Sequence, residues 1–177
     1  MGKFDDVLLA SDFDNTILNT ERPRRTGGPI PPVSQGNLTA IRYFMTEGGR
    51  FAVATGRALP ALRMFADKVP MNAPAIVCNG AALYDFEAET YLDSILLPEE
   101  VRAQGQAVLD RFPTAAAEAY HLDNVIHAVR PNEFTRQHQH VTHAGVEAVD
   151  DLWAVPLPLV KLMFEDEHTR LLPLRDW

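Results

Sequence analysis

The sequence predicts an α/β fold built on a parallel sheet. Three short apolar runs, at residues 7–10, 51–54 and 75–78, each stop abruptly at polar residues. Their length and composition are those of buried parallel strands. The stretches between them carry apolar residues at helical spacing. A strand–helix–strand–helix–strand order implies parallel strands joined by right-handed crossovers.

The first run, Val7-Leu8-Leu9-Ala10, reads as a buried strand leading into Ser11-Asp12-Phe13-Asp14-Asn15-Thr16. In open α/β sheets ligands bind beyond the carboxyl ends of strands. Asp12 and Asp14 are therefore delivered to the place where chemistry is done. Residues i and i+2 of an extended segment point to one side. Two like charges held close call for a proton or a cation. Mg²⁺, a hard cation with oxygen ligands, suits such a pair. On a plainer reading both acids are loop residues or helix caps.

Residues 19–32 contain four prolines and two glycines and read as a loop. Arg22, Arg24 and Arg25 in it either receive an anionic substrate or merely solvate the loop. Ser34 is a candidate N-cap for a helix with Leu38, Ile41, Phe44 and Met45 on one face, stopped by Gly48-Gly49. Residues 51–54 form the second strand, which ends at Thr55-Gly56-Arg57. A helix over 59–69 is broken by Asn72-Ala73-Pro74. The third strand, 75–78, ends at Asn79-Gly80. Residues 81–85 and 91–97 then flank 86–90 as an antiparallel hairpin. Pro98 opens a helix that runs to about Phe112. Strands are expected at 117–121, 125–129 and 159–164, with helices starting near Asn132 and His168. The composition shift at Leu97-Pro98 sets a boundary between domains at 1–97 and 98–177.

With 46% hydrophobic and 23% charged residues, the 177-residue chain has the make-up of a globular domain. Its net charge of −8 argues against nucleic-acid partners. No apolar run reaches the length of a membrane span, and the acids near the start are unlike a signal peptide. The single Cys78 sits in an apolar run, as a buried thiol compatible with a reducing cytoplasm. The expectation is a cytoplasmic protein with no nucleic-acid or membrane partner.

Asp12-Phe13-Asp14-Asn15-Thr16, followed by Thr55-Gly56-Arg57, resembles the haloacid dehalogenase superfamily of phosphohydrolases, whose first motif is DxDGT. Asn15 stands where Gly is usual, and Asn tolerates φ > 0. Asn79-Gly80-Ala81 before a Tyr-Asp hairpin, and Val160-Lys161-Leu162-Met163-Phe164 later, resemble the Cof-type branch. The resemblance implies a Rossmann-like core, here partial, carrying an inserted α/β cap, also partial. It implies that Asp12 is the nucleophile and forms an aspartyl-phosphate. Asp14 would be the general acid and then the base. Mg²⁺ would be held by the Asp12 carboxylate and the Asp14 backbone carbonyl. The phosphoryl group would be bound by Thr55 and by backbone N–H groups near Asn15, Thr16 and Gly56 at helix starts. The implied substrates are sugar phosphates or other small phosphorylated metabolites. Arg57 is structural or peripheral, with a surface ion pair as the plainer reading.

The family's third-motif Lys and its GDxxND fourth motif are not found before Trp177, and Lys161 alternates within an apolar strand. The expectation is a truncated member, weakly active or inactive, whose exposed core is covered by something else, such as a second copy. Two other classes remain open. One is a catalytically dead binding or interaction domain. The other is a receiver-like phosphoacceptor module, although Asn79 stands where such a module needs an acceptor Asp. His138, His140 and His143, with His121 and His127 upstream, read as a solvated polar segment rather than a metal site.

Overall fold

The computed structural model of the chain describes residues 2–176, apart from the side chains of Arg24 and Asp176. Arg24, grouped above with Arg22 and Arg25, thus lies outside the described side chains. The chain divides into two compact units between Ser94 and Ile95.

The first unit is a five-stranded sheet in the order β1-β2-β3-β4-β5. Strands β1 (Leu8–Asp12), β2 (Arg50–Ala54) and β3 (Ala75–Val77) are parallel. The hairpin β4 (Ala82–Asp85) and β5 (Thr90–Ser94) adds to β3 antiparallel, around the turn at 86–89. Phe51, Ala52, Val53, Ala75 and Val77 are buried, as their apolar runs predict. The first run is not. Val7, Leu8 and Leu9 are exposed, Leu8 by 62%. The cause is position, because β1 is the edge strand and pairs only with β2 among the described residues. An apolar strand pattern specifies burial only where something covers it.

The helices follow their caps. In α2 (Gln35–Thr46) the Ser34 hydroxyl accepts the Asn37 N–H. The loop expected at 19–32 contains a short helix, α1 (Glu21–Thr26). Asn15 Oδ1 accepts from the N–H groups of Thr20 and Glu21, doing the capping from outside the segment. Pro23 falls in the first turn, where a missing N–H costs no helical bond. The helix expected at 59–69 is regular only as α3 (Leu59–Arg63). Beyond it the bonds tighten to i→i−3, from Phe65 to Leu62 and from Lys68 to Phe65, while Leu59, Leu62, Phe65 and Val69 stay buried.

The second unit is a four-stranded sheet in the order β8-β7-β6-β9. Its strands are β6 (Ala116–Tyr120), β7 (Ile126–Val129), β8 (Glu147–Val149) and β9 (Lys161–Glu165). Helix α4 (Val101–Arg111) precedes the sheet, and α5 (Glu133–Thr142) links β7 to the parallel β8. Asn132 caps α5 by accepting from Phe134 and Thr135. Leu109, Ala117, Ala119, Val129, Leu152, Val155 and Leu159 form the core, with Leu162 and Phe164 packed against it. A last short helix, α6 (His168–Leu171), follows β9. No described helix is long and apolar enough to cross a membrane.

Candidate active site

Strand register assembles the site at one edge of the first sheet. Asp12 pairs with Ala54, and Ala54 pairs with Ile76. The segments after three parallel strands thus emerge side by side, carrying Asp12 and Asp14, Thr55-Gly56-Arg57, and Asn79. Each turns sharply on leaving its strand. Asn15 sits at φ 63°, a left-handed conformation that Asn adopts more readily than most residues. After β3 the chain turns through Cys78, Asn79 and Gly80, with φ of 54°, 60° and 95°. This ends the third strand one residue earlier than its apolar run, at Val77, and leaves Cys78 buried.

The turn after β1 is closed from within. Ile17 and Leu18 both donate to the Phe13 carbonyl, and Asn15 N donates to Leu18 O at 2.6 Å. It is a tight turn rather than the expected helix start, because α1 begins only at Glu21. Asn37 Nδ2 ties the Ile17 carbonyl to α2 at 3.2 Å. Phe13 is fully buried below, edge-on to Phe65 with ring centroids 5.4 Å apart.

The two acids take different partners. Asp12 is exposed, and its Oδ2 accepts from Thr16 Oγ1 at 2.9 Å. Asp14 is half-buried. Its Oδ1 accepts from Thr20 Oγ1 at 3.0 Å and from Arg57 Nη2 at 2.8 Å, and its Oδ2 accepts from Arg57 Nε at 3.0 Å. Arg57 is 5% exposed and lies over the rings of Phe13 and Phe65, 5.4 and 5.3 Å from their centroids. This corrects the surface-pair reading of Arg57. The guanidinium is buried and braces an acid of the site by the two-pronged geometry that distinguishes Arg from Lys. Thr55 is buried, and its Oγ1 accepts the Arg57 N–H at 3.1 Å. A Cβ on Gly56 would stand 3.1 Å from Asn79 Nδ2, so the close approach of these two loops favours Gly.

A family model described as haloacid dehalogenase-like hydrolase matches residues 9–176. The chain belongs to that family. Over 91 residues this haloacid dehalogenase-like chain is 31% identical to pyridoxal phosphate phosphatase YbhA of Escherichia coli, an alignment covering 51% of the chain and 30% of that protein. A haloacid dehalogenase-like hydrolase from Bacteroides thetaiotaomicron superposes with a TM-score of 0.76 at 17% identity, over 98% of this chain and 62% of that one. The subclass IIB sugar phosphatase BT4131 gives 0.70 at 17% identity, over 89% and 58%. The fold is that of the Cof-type branch. The chain spans about three fifths of these solved structures and less than a third of the curated relative.

Among the predicted residues, Asp12, Asp14, Thr16, Thr55 and Gly56 stand along the strand ends as described. Asn15 is spent on the loop itself, since its N–H and Oδ1 serve Leu18, Thr20 and Glu21. Thr20 escaped the sequence reading. It lies six residues past Asp14, and the signal was a hydroxyl residue just before a helix start. The all-oxygen donor set fits Mg²⁺. Arg57 and Thr20 occupy the Asp14 carboxylate, which leaves the exposed Asp12 carboxylate and the Asp14 backbone carbonyl as candidate ligands.

Proposed function

We propose that the chain supplies the nucleophile and the acid–base pair of a Mg²⁺-dependent phosphomonoester hydrolase. Residues 1–97 act as the Rossmann-like core, and 98–177 belong to the cap. The observation that supports this most is the Arg57–Asp14–Thr20 brace beside Asp12, which holds one acid fixed and leaves its neighbour open to solvent.

In this reading an Asp12 carboxylate oxygen attacks phosphorus, and the bond to the ester oxygen breaks. Asp14 gives that leaving oxygen its proton. The aspartyl-phosphate is then attacked by water, which returns a proton to Asp14 and releases phosphate. The Asp12 carboxylate and the Asp14 carbonyl would hold Mg²⁺, which would supply positive charge to offset that of nucleophile and phosphate. Thr16 orients Asp12. Thr55 and the Thr16 and Gly56 N–H groups receive phosphoryl oxygens, and Asn15 contributes by shaping the loop. Small phosphorylated metabolites are the proposed substrates, in line with a pyridoxal phosphate phosphatase and a sugar phosphatase among the similar proteins. The compartment is the cytoplasm.

The test is Mg²⁺-dependent hydrolysis of p-nitrophenyl phosphate, with acid-quenched mass spectrometry to detect a phosphoryl adduct on Asp12. Hydrolysis undiminished in Asp12→Asn overturns the reading. So does a wild-type chain with neither adduct nor a thermal shift with Mg²⁺ and vanadate.

A further inference from the structure

The second unit sets one buried and one partly buried carboxylate against one imidazole. The sheet register brings them together. Glu118 of β6 pairs with Met163 of β9, and Ala116 pairs with Glu165. Glu118 and Glu165 are therefore diagonal neighbours on one face of an antiparallel pair. The core residues Ala117, Ala119, Leu162 and Phe164 alternate with them and occupy the other face. Helix α5 brings His138 to the same place. Its Nδ1 is 3.0 Å from Glu118 Oε2 and 3.7 Å from Glu165 Oε1. One ligand atom from each of the three lies within 4.8 Å of the others.

Glu118 is the informative residue. It is 1% exposed, deeper than almost any acid sits without compensation. Its Oε2 accepts from the Tyr120 hydroxyl and faces His138. Its Oε1 is buried with no hydrogen-bond partner. A buried carboxylate oxygen left unsatisfied is costly, and the environment of such a group calls for explanation. Two carboxylates face the one imidazole. Lys161 stands on the same sheet face, with its Nζ 4.7 Å over the Tyr120 ring.

We propose that Glu118, His138 and Glu165 form a binding site for a transition-metal dication of the zinc class, in addition to the magnesium site of the first unit. The donor set is one imidazole nitrogen and two carboxylates. Zinc takes such ligands at ~2.0–2.1 Å, which in a tetrahedron puts ligand atoms about 3.3 Å apart. The two separations from His138 Nδ1, 3.0 and 3.7 Å, bracket that value, and an oxygen of each carboxylate lies within 4.8 Å of the other. Tyr120 acts as the outer partner that orients Glu118, as hydrogen-bonded groups behind metal ligands do. The partly exposed His138 gives the ion an entry route, and a fourth position remains for water or a ligand.

The experiment titrates the full chain with Zn²⁺ by calorimetry and with Co²⁺ by visible absorption, in wild type and in Asp12→Asn, His138→Gln and Glu118→Gln. One equivalent should bind in wild type and in Asp12→Asn, with tetrahedral Co²⁺ bands. His138→Gln, a change on the partly exposed face of α5, should weaken binding at least about tenfold, since loss of an outer partner alone costs that much. Melting in EDTA shows whether each variant is folded. Absence of binding in wild type, undiminished binding in folded His138→Gln, or loss of all binding in Asp12→Asn overturns the site.

Discussion

Arg57 holds Asp14 with two guanidinium nitrogens, Nη2 at 2.8 Å from Oδ1 and Nε at 3.0 Å from Oδ2. The pair is asymmetric in burial, with the arginine side chain 3% exposed and the aspartate 32%. Removing one partner of a fully buried pair costs about 3–5 kcal/mol. Solvent at Asp14 lowers the expected cost of Arg57→Ala to roughly 2 kcal/mol. Arg57→Lys should recover only part of this, because a point charge cannot reproduce both bonds. Urea melts of Arg57→Ala, Asp14→Asn and the double variant measure the coupling. Additive losses would show the pair to be energetically idle.

The two acids should separate kinetically. With Mg²⁺ and p-nitrophenyl phosphate, Asp14→Asn is expected to lower kcat by about 10²–10⁴-fold with KM little changed, as for a lost general acid–base. Asp12→Asn should also abolish the phosphoryl adduct, whereas Asp14→Asn retains it. An adduct that survives Asp12→Asn would reassign the nucleophile.

Gly105 lies where α4 packs closely on its neighbours. A Cβ there would stand 2.7 Å from both Leu152 Cδ1 and Leu162 Cδ2. Leu152 is fully buried in the core, and Leu162 packs against that core, so either side chain must shift within close packing to make room. Gly105→Ala gains helix propensity of about 1 kcal/mol, but overpacking costs about 1–3 kcal/mol. The net change should be destabilising, and denaturant melts will read it. A stabilised variant would mean that α4 can shift outward.

His121 links stability to pH. Burial holds its pKa below the usual histidine range, and the neighbouring His127 acts in the same direction. The Pro158 carbonyl, 3.0 Å from Nδ1, opposes this in part. With the folded pKa below the unfolded one, the unfolded chain binds more protons in the window between them. Stability then falls as pH drops from about 6.5 through the depressed folded value. Melting curves of wild type should decline over this range. His121→Gln should decline less. Equal slopes would remove His121 as the cause.

Much of this was readable from residue order. The apolar runs that stop at Ser11, at Thr55 and at Asn79 set three parallel strands and the sheet edge where the candidate site lies. Ser34 and Asn132 announced the helices they cap. The ion pair was not readable. Arg57 and Asp14 are 43 positions apart, and only the strand register brings them together. Capping of α1 by Asn15 was hidden for the same reason, because a cap six residues upstream has no local signature. His138 read as a solvated histidine since its partners come from strands 20 and 27 positions away. Strand β8, three residues long, carries too little pattern to register against its flanks.

Strand β1 leads straight into Asp12, yet among the described residues it has a neighbour on one edge only, and Leu8 and Leu9, on its two faces, are exposed. Among the described residues, the strand that carries Asp12 is hydrogen-bonded along β2 alone. The fixing of the Asp12–Asp14 turn therefore falls to side chains from elsewhere in the unit, Asn37 on the Ile17 carbonyl and Thr20 and Arg57 on the Asp14 carboxylate.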